Sequence, residues 1–173
     1  MITRKSIFAV FAALLVAFAM NVSVASDASA ATYYELKNRY SGKCATPKGN
    51  GTSNGTIITL WDCTGSSLQH WEMRVAGSGS QIVHRASGKC LTPSGNGYAT
   101  DGAVLTLWTC DNSGTNYPQQ FSANQSWTWT TYSNPNFRCL TNKGGSHANG
   151  TYLTLWRCAD DYPTEQQWVF DYA

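Results

Sequence analysis

The chain has 173 residues, with 12 lysines and arginines against 10 aspartates and glutamates, so its formal net charge at pH 7 is only +2. A charge this evenly balanced argues against a nucleic-acid-binding surface and against a strongly charged funnel for an acidic substrate. The chain also contains six cysteines and seven tryptophans, and their spacing carries most of the information about fold and function.

The first 30 residues have the pattern of a secretory signal peptide. Two basic residues precede an apolar stretch from Ile7 to Met20, and the small residues 28–30 fit a cleavage site. The apolar stretch is too short to span a bilayer comfortably, and an uncleaved membrane anchor is the alternative interpretation. We therefore predict a signal peptide at 1–30 and a secreted, extracellular single domain at 31–173 with no membrane span.

One pattern occurs three times in the mature chain. It consists of an Asn-Gly or Asp-Gly turn, two residues, an aliphatic residue, Thr, Leu, Trp, one residue and Cys, and it occupies 54–63, 101–110 and 149–158. A period of about 47 residues is typical of one supersecondary unit packed against its copies, because a single unit cannot bury its own apolar face. The sequence predicts three repeats at approximately 33–78, 79–125 and 126–173.

Apolar and polar residues alternate along each copy of the pattern, which indicates β-strands, and no long helical pattern appears in the mature chain. In the first copy Ile58 and Leu60 face one side, whereas Thr59, Trp61 and Cys63 face the other. The aliphatic side is the expected core face, so the tryptophan of each repeat is expected on the opposite side. These tryptophans are Trp61, Trp108 and Trp156.

All six cysteines follow the predicted signal peptide, with two in each repeat. In an oxidising compartment such cysteines are typical of disulfides. Repeat symmetry favours pairing within each unit, which gives Cys44–Cys63, Cys90–Cys110 and Cys139–Cys158. Zinc is the competing use, but the sequence has no Cys-x-x-Cys motif, and His70, His84 and His147 are not clustered.

Each within-repeat disulfide would place a threonine beside the tryptophan on the outer face. The pairs are Thr46 with Trp61, Thr92 with Trp108, and Thr141 with Trp156. Such a pair predicts a shallow cleft with an aromatic floor and a polar wall, which suits a sugar because the C–H face of a pyranose packs on an indole. The alternative is that each tryptophan only shields its disulfide from solvent.

Each repeat also ends in a Gln-x-aromatic segment, for which we expect a structural role. A buried glutamine amide would satisfy backbone groups where repeats meet, and the aromatic residue would lie in the core. The glutamines are Gln69, Gln119 and Gln166, and the aromatic residues are Trp71, Phe121 and Trp168.

Three such repeats with within-repeat cysteine pairs and Gln-x-Trp endings resemble the ricin B-type (R-type) lectin domain, over about Tyr33 to Tyr172. The resemblance implies an all-β fold, a β-trefoil of three four-stranded repeats that form a barrel with a hairpin cap. It also implies up to three sugar sites, here the first, second and third pockets, called α, β and γ in the family. The implied stacking aromatics are Trp61, Trp108 and Trp156, and the implied supporting glutamines are Gln69, Gln119 and Gln166.

The chain departs from the family pattern at two positions of each repeat. Galactose-binding repeats usually carry Asp two residues after the first Cys, where this chain has Thr46, Thr92 and Thr141. The family also has a polar residue before the glutamine, where this chain has Leu68, Pro118 and Glu165. Because only Glu165 offers a hydrogen-bonding side chain, the third pocket ranks first as a predicted site.

The expected function is therefore non-enzymatic binding of glycans or polysaccharide, without a cofactor, a metal or nucleic acid. No nucleophile, acid–base pair or phosphate-loop motif is present, and the Asn-Gly pairs suit hairpin turns. The alternative is a secreted trefoil that binds protein, as an inhibitor or a toxin delivery subunit. The aromatic segment 126–132 would suit such an interface, although a first strand of the third repeat is the favoured interpretation. The sequence leaves the oligomeric state and the identity of the sugar open.

Overall fold

A computed structural model describes residues 31–113, 115–125 and 130–173. The predicted signal peptide and residues 126–129 of the aromatic segment lie outside the described residues. No helix in the described part of the chain is long and apolar enough to cross a membrane. The strands are β1 Tyr34–Asn38, β2 Cys44–Pro47, β3 Ile58–Trp61, β4 His70–Ala76, β5 Gly79–His84, β6 Cys90–Pro93, β7 Ala103–Trp108, β8 Ser122–Gln125, β9 Thr130–Ser133, β10 Arg138–Asn142, β11 Leu153–Arg157 and β12 Trp168–Tyr172.

Six of these strands form a closed ring. Strand β1 pairs with β4 and β12, β4 pairs with β5, and β9 pairs with β8 and β12. A bridge between Ser80 and Phe121 completes the ring, because it joins β5 to the residue that precedes β8. All ring pairings between named strands are antiparallel, and closure leaves the barrel without free edges.

The other six strands form three hairpins, β2–β3, β6–β7 and β10–β11, which together make the cap. Strand β7 pairs with β11, and bridges from Ile57 to Thr106 and from Thr59 to Tyr152 connect the remaining hairpin edges. The cap is therefore a cyclic arrangement in which each hairpin touches both others. Barrel and cap together confirm the all-β, β-trefoil prediction.

The core lies between the barrel and the cap. Trp71 and Trp168 are fully buried and Phe121 is 1% exposed, which confirms the core positions predicted for these aromatics. Both indole N–H groups also find acceptors, because Trp71 donates to the Ala45 carbonyl at 3.1 Å and Trp168 to the Leu140 carbonyl at 3.0 Å. A buried indole with its N–H hydrogen-bonded stabilises the core without leaving a polar group unsatisfied.

Each hairpin carries one disulfide, and all three predicted pairings are confirmed. Cys44–Cys63, Cys90–Cys110 and Cys139–Cys158 have Cα–Cα distances of 5.1, 5.0 and 4.9 Å, within the range that an S–S bond requires. Among the described residues, one group of metal-ligand atoms lies close together, Glu35 with Cys44 and Cys63. Since these two sulfurs are bonded to each other, neither is available as a thiolate ligand.

Candidate functional site

The three repeated tryptophans lie on the outer face of the cap hairpins, as the alternation predicts. In the register of β2 with β3, Cys44 is opposite Trp61 and Ala45 is opposite Leu60. Leu60 is fully buried, whereas Trp61 is 48% exposed, and Trp108 and Trp156 are each 50% exposed. Each indole therefore offers solvent a large flat apolar surface, supported from below by its own strand.

Each tryptophan lines a pocket together with the threonine and glutamine that the sequence predicts for its repeat. The pockets have volumes of about 600, 650 and 510 Å³ in the first, second and third repeats. The predicted residues that line them are Thr46, Trp61 and Gln69 in the first, Thr92, Trp108 and Gln119 in the second, and Thr141, Trp156, Glu165 and Gln166 in the third. The structure thus brings together every side chain of each predicted set.

Internal hydrogen bonds use most of the bonding capacity of the pocket threonines. Thr46 donates its hydroxyl proton to the Cys44 carbonyl at 3.0 Å, and its oxygen accepts from Gln69 Nε2 at 2.8 Å. The second and third repeats have the same two bonds, at 2.9 and 3.1 Å and at 2.8 and 3.2 Å. A hydroxyl has one proton and two lone pairs, so the internal bonds leave one acceptor position on each threonine oxygen.

The three glutamine side chains are buried and hydrogen-bonded. Gln69 is 2% exposed, Gln119 1% and Gln166 3%. Gln69 Nε2 also donates to the Asp62 carbonyl at 2.9 Å, and its Oε1 accepts from the Thr64 backbone N–H at 2.7 Å. Equivalent bonds recur in both other repeats. The structural role predicted for the glutamines is confirmed, but each acts inside its own repeat, where it fixes the segment after the tryptophan, and not where repeats meet.

A neighbouring repeat completes the first pocket, which sequence reasoning missed. Gly150 of the third repeat lies against Trp61, because a Cβ built on Gly150 would be only 3.9 Å from the indole Cζ3. The Gly150 N–H donates to the Leu60 carbonyl at 2.8 Å, and Tyr152 also lines this pocket. Gly55 contacts Trp108 and Gly102 contacts Trp156 in the same manner.

The Asn-Gly and Asp-Gly turns therefore join repeats and are not two-residue hairpin turns. Ten residues separate β2 from β3, and the turn at Asn54 lies within this long connection. Its glycine has a φ of 83°, a left-handed value that favours glycine. The repeated Asn-Gly signal was visible in the sequence, but its partner in a different repeat was not.

The three pockets differ in charge although their floors are alike. Lys48 lines the first pocket, and no charged side chain of the described residues lines the second. Arg157, Asp161 and Glu165 line the third. In the first pocket, Lys48 Nζ donates to the Tyr152 hydroxyl at 3.0 Å and holds the pKa of that phenol below its ordinary value of 10.0, and Lys143 adds a smaller effect of the same sign.

The structure is thus a disulfide-bonded β-trefoil with one aromatic pocket in each repeat. Residues 21–108 match the family model described as a ricin-type beta-trefoil lectin domain-like, and residues 78–173 match the ricin-type beta-trefoil lectin domain. The chain belongs to the ricin-type β-trefoil lectin family, and carbohydrate binding is its functional class. No curated protein sequence matches the chain.

Several solved structures share this fold. A designed threefold-symmetric protein, ThreeFoil, is 23% identical with a TM-score of 0.73, over 82% of this chain and 99% of that one. An exo-beta-1,3-galactanase from Clostridium thermocellum is 26% identical with a TM-score of 0.74, over 82% of this chain but only 30% of the enzyme. A ricin B-like lectin from Macrolepiota procera, solved with lactose, is 18% identical with a TM-score of 0.69, over 86% of this chain and all of that one (100%).

Proposed function

We propose that this protein is secreted and binds glycans without chemical conversion, in up to three shallow pockets whose floors are Trp61, Trp108 and Trp156. The observation that carries the proposal is the half-exposed indole of each repeat beside a hydrogen-bonded Thr–Gln pair. A flat apolar ring next to polar groups matches a pyranose, which has a C–H face and a rim of hydroxyl groups.

The third pocket ranks first for an uncharged sugar. Its wall includes the carboxylates of Asp161 and Glu165, and a carboxylate accepts stronger hydrogen bonds from sugar hydroxyls than a neutral oxygen does. These carboxylates add strong acceptors beside the buried Thr141 hydroxyl, which keeps only one acceptor site because its proton is donated to the Cys139 carbonyl at 2.8 Å and its oxygen accepts from Gln166 Nε2 at 3.2 Å.

Each pocket is shallow and has a single tryptophan as its floor, so we expect every site to be weak by itself. Three sites fixed on one rigid trefoil act at a high effective concentration toward a repeating ligand. We therefore expect polysaccharides and clustered glycans to bind far more tightly than monosaccharides.

The test is a glycan array followed by calorimetry with the best oligosaccharide ligand. Galactose-containing glycans belong on the array, since the Macrolepiota lectin was solved with lactose and the Clostridium enzyme is a galactanase. Trp156→Ala should weaken binding by roughly 1 kcal/mol or more. Tyr172→Ala is the matched control, because Tyr172 is an 81% exposed aromatic that lines none of the three pockets.

Loss of affinity in Trp156→Ala but not in Tyr172→Ala would support the third-pocket assignment. Equal effects of the two substitutions would contradict it. An array without any bound glycan would instead favour the second candidate, the protein-binding trefoil. The replacement of the family carboxylate by threonine in all three repeats favours that candidate.

A further inference from the structure

The first pocket has a second aromatic wall, Tyr152, which lies 91 positions after Trp61 in the sequence. The equivalent position in the second pocket, just before the cap strand of a neighbouring repeat, is Ile57. Tyr152 and Gly150 also line a smaller adjoining groove of about 270 Å³. The first pocket and this groove therefore share Gly150 and Tyr152 as lining residues.

Two lysines flank the Tyr152 ring. Lys48 Nζ lies 5.1 Å from the ring centroid and Lys143 Nζ lies 5.7 Å from it. They occupy equivalent positions, the first residue of a 3-10 turn after the first cap strand, in the first and third repeats. The second repeat has Ser94 there, so the cap assembles this lysine pair at one pocket only among the described residues.

Neither lysine is neutralised by a carboxylate within the described part of the chain, where the ion pairs involve other cations. Asp62, which follows Trp61, is itself paired with Lys43 and accepts from Asn149 Nδ2 at 2.8 Å. Both lysine side chains are exposed. Two ammonium groups without counterions beside an aromatic cleft make a local anion-binding surface, whatever the net charge of the chain.

We propose that the first pocket and its adjoining groove bind an acidic oligosaccharide. Its sugar rings stack on Trp61 and Tyr152, and its carboxylate or sulfate groups pair with Lys48 and Lys143. This inference rests on the proposed glycan-binding function and specifies the ligand class of one pocket. The second pocket, without a charged lining residue among the described residues, and the third, with two carboxylates beside Arg157, provide internal comparisons.

The test uses calorimetry with two matched ligand pairs and the complete mature chain. One pair is trigalacturonate and its methyl ester, and the other is a sulfated galactan trisaccharide and its unsulfated parent. Each exposed lysine–anion pair is worth up to about fivefold in affinity. We therefore expect the wild type to bind at least one acidic probe about tenfold more tightly than its neutral counterpart, and the preference to shrink as salt is added.

Two lysine variants and one control variant test whether the preference for acidic probes arises at the first pocket and its adjoining groove. Lys48→Gln and Lys143→Gln should each lower the ratio of acidic to neutral affinity about threefold to fivefold, and Trp61→Ala should abolish acidic binding. Lys89→Gln removes the same charge at a lysine that lines none of the pockets, and the ratio should not change. The carboxylate and sulfate arms then identify which acidic group the site prefers.

Several results would overturn the inference. Neutral glycans that bind through Trp156 without any preference for the acidic probes would refute the acidic site while leaving the proposed function intact. An equal loss of preference in Lys89→Gln would show that the attraction is a property of total charge. Absence of binding to all four probes would overturn this inference, and only an array without any bound glycan would also overturn the proposed function.

Discussion

Replacement of Gln166 by alanine should destabilise the domain although it removes no core apolar group. The side chain is 3% exposed and makes three hydrogen bonds, to Thr141 Oγ1 at 3.2 Å, the Arg157 carbonyl at 3.0 Å and the Ala159 N–H at 3.1 Å. Each partner left without a bond costs about 1 kcal/mol, so the free energy of unfolding should fall by about 3 kcal/mol.

The adjacent Gln167 offers a matched control for this prediction. It is only half-buried, and its bonds to Arg39 and Tyr162 lie at the surface, so Gln167→Ala should cost less than about 1 kcal/mol. Urea unfolding followed by tryptophan fluorescence measures both values. If Gln166→Ala lowered the free energy of unfolding by less than Gln167→Ala does, the structural role of the repeated glutamine would be refuted.

Three further predictions concern the stability of the fold. Trp168→Ala should lower the free energy of unfolding by about 3 to 5 kcal/mol because it empties a buried site, whereas Trp156→Ala should change it by less than about 1 kcal/mol. Urea unfolding measures both values, and equal losses would contradict the core and surface assignments. Reduction should lower the melting temperature strongly, since each disulfide closes a loop of 19 or 20 residues worth about 3 kcal/mol, and non-reducing peptide mapping should find no free thiol. Burial lowers the pKa of His84 from its ordinary value of 6.5, so the unfolded chain binds the proton more readily than the folded chain. The free energy of unfolding should therefore fall as the pH drops below about 6.5, and thermal melts should show this dependence. His84→Gln should flatten it, and an unchanged slope in that variant would refute the prediction.

The parts of the fold that depend on local alternation could be predicted from the sequence. Opposite faces for Leu60 and Trp61 follow from the period of a strand, and the cysteine pairs follow from repeat symmetry. Once Cys44 and Cys63 are joined, Thr46 and Trp61 must lie on one face, and both line the first pocket. Local periodicity was therefore sufficient to place the threonine and tryptophan of a repeat on one face, whereas the glutamines and Glu165 entered the predicted sets through the family resemblance.

Contacts between repeats could not be predicted, because they depend on how the three hairpins close into a cap. No sequence pattern places Tyr152 beside Trp61, or Lys48 and Lys143 on either side of one ring. The bond from each repeated glutamine to its pocket threonine, by contrast, lies within one repeat, but it joins residues 23 to 27 positions apart. The net charge of +2 likewise gives no indication that the three pockets differ in charge.

The central claim is that the outer tryptophans are the floors of glycan sites. The most direct measurement compares the wild type with a triple variant, Trp61→Ala, Trp108→Ala and Trp156→Ala, on one glycan array, with urea unfolding as the check on folding. We expect the triple variant to remain folded, because all three side chains are about half exposed, and to lose binding to every glycan that the wild type recognises. Equal glycan binding by the two proteins would contradict the claim.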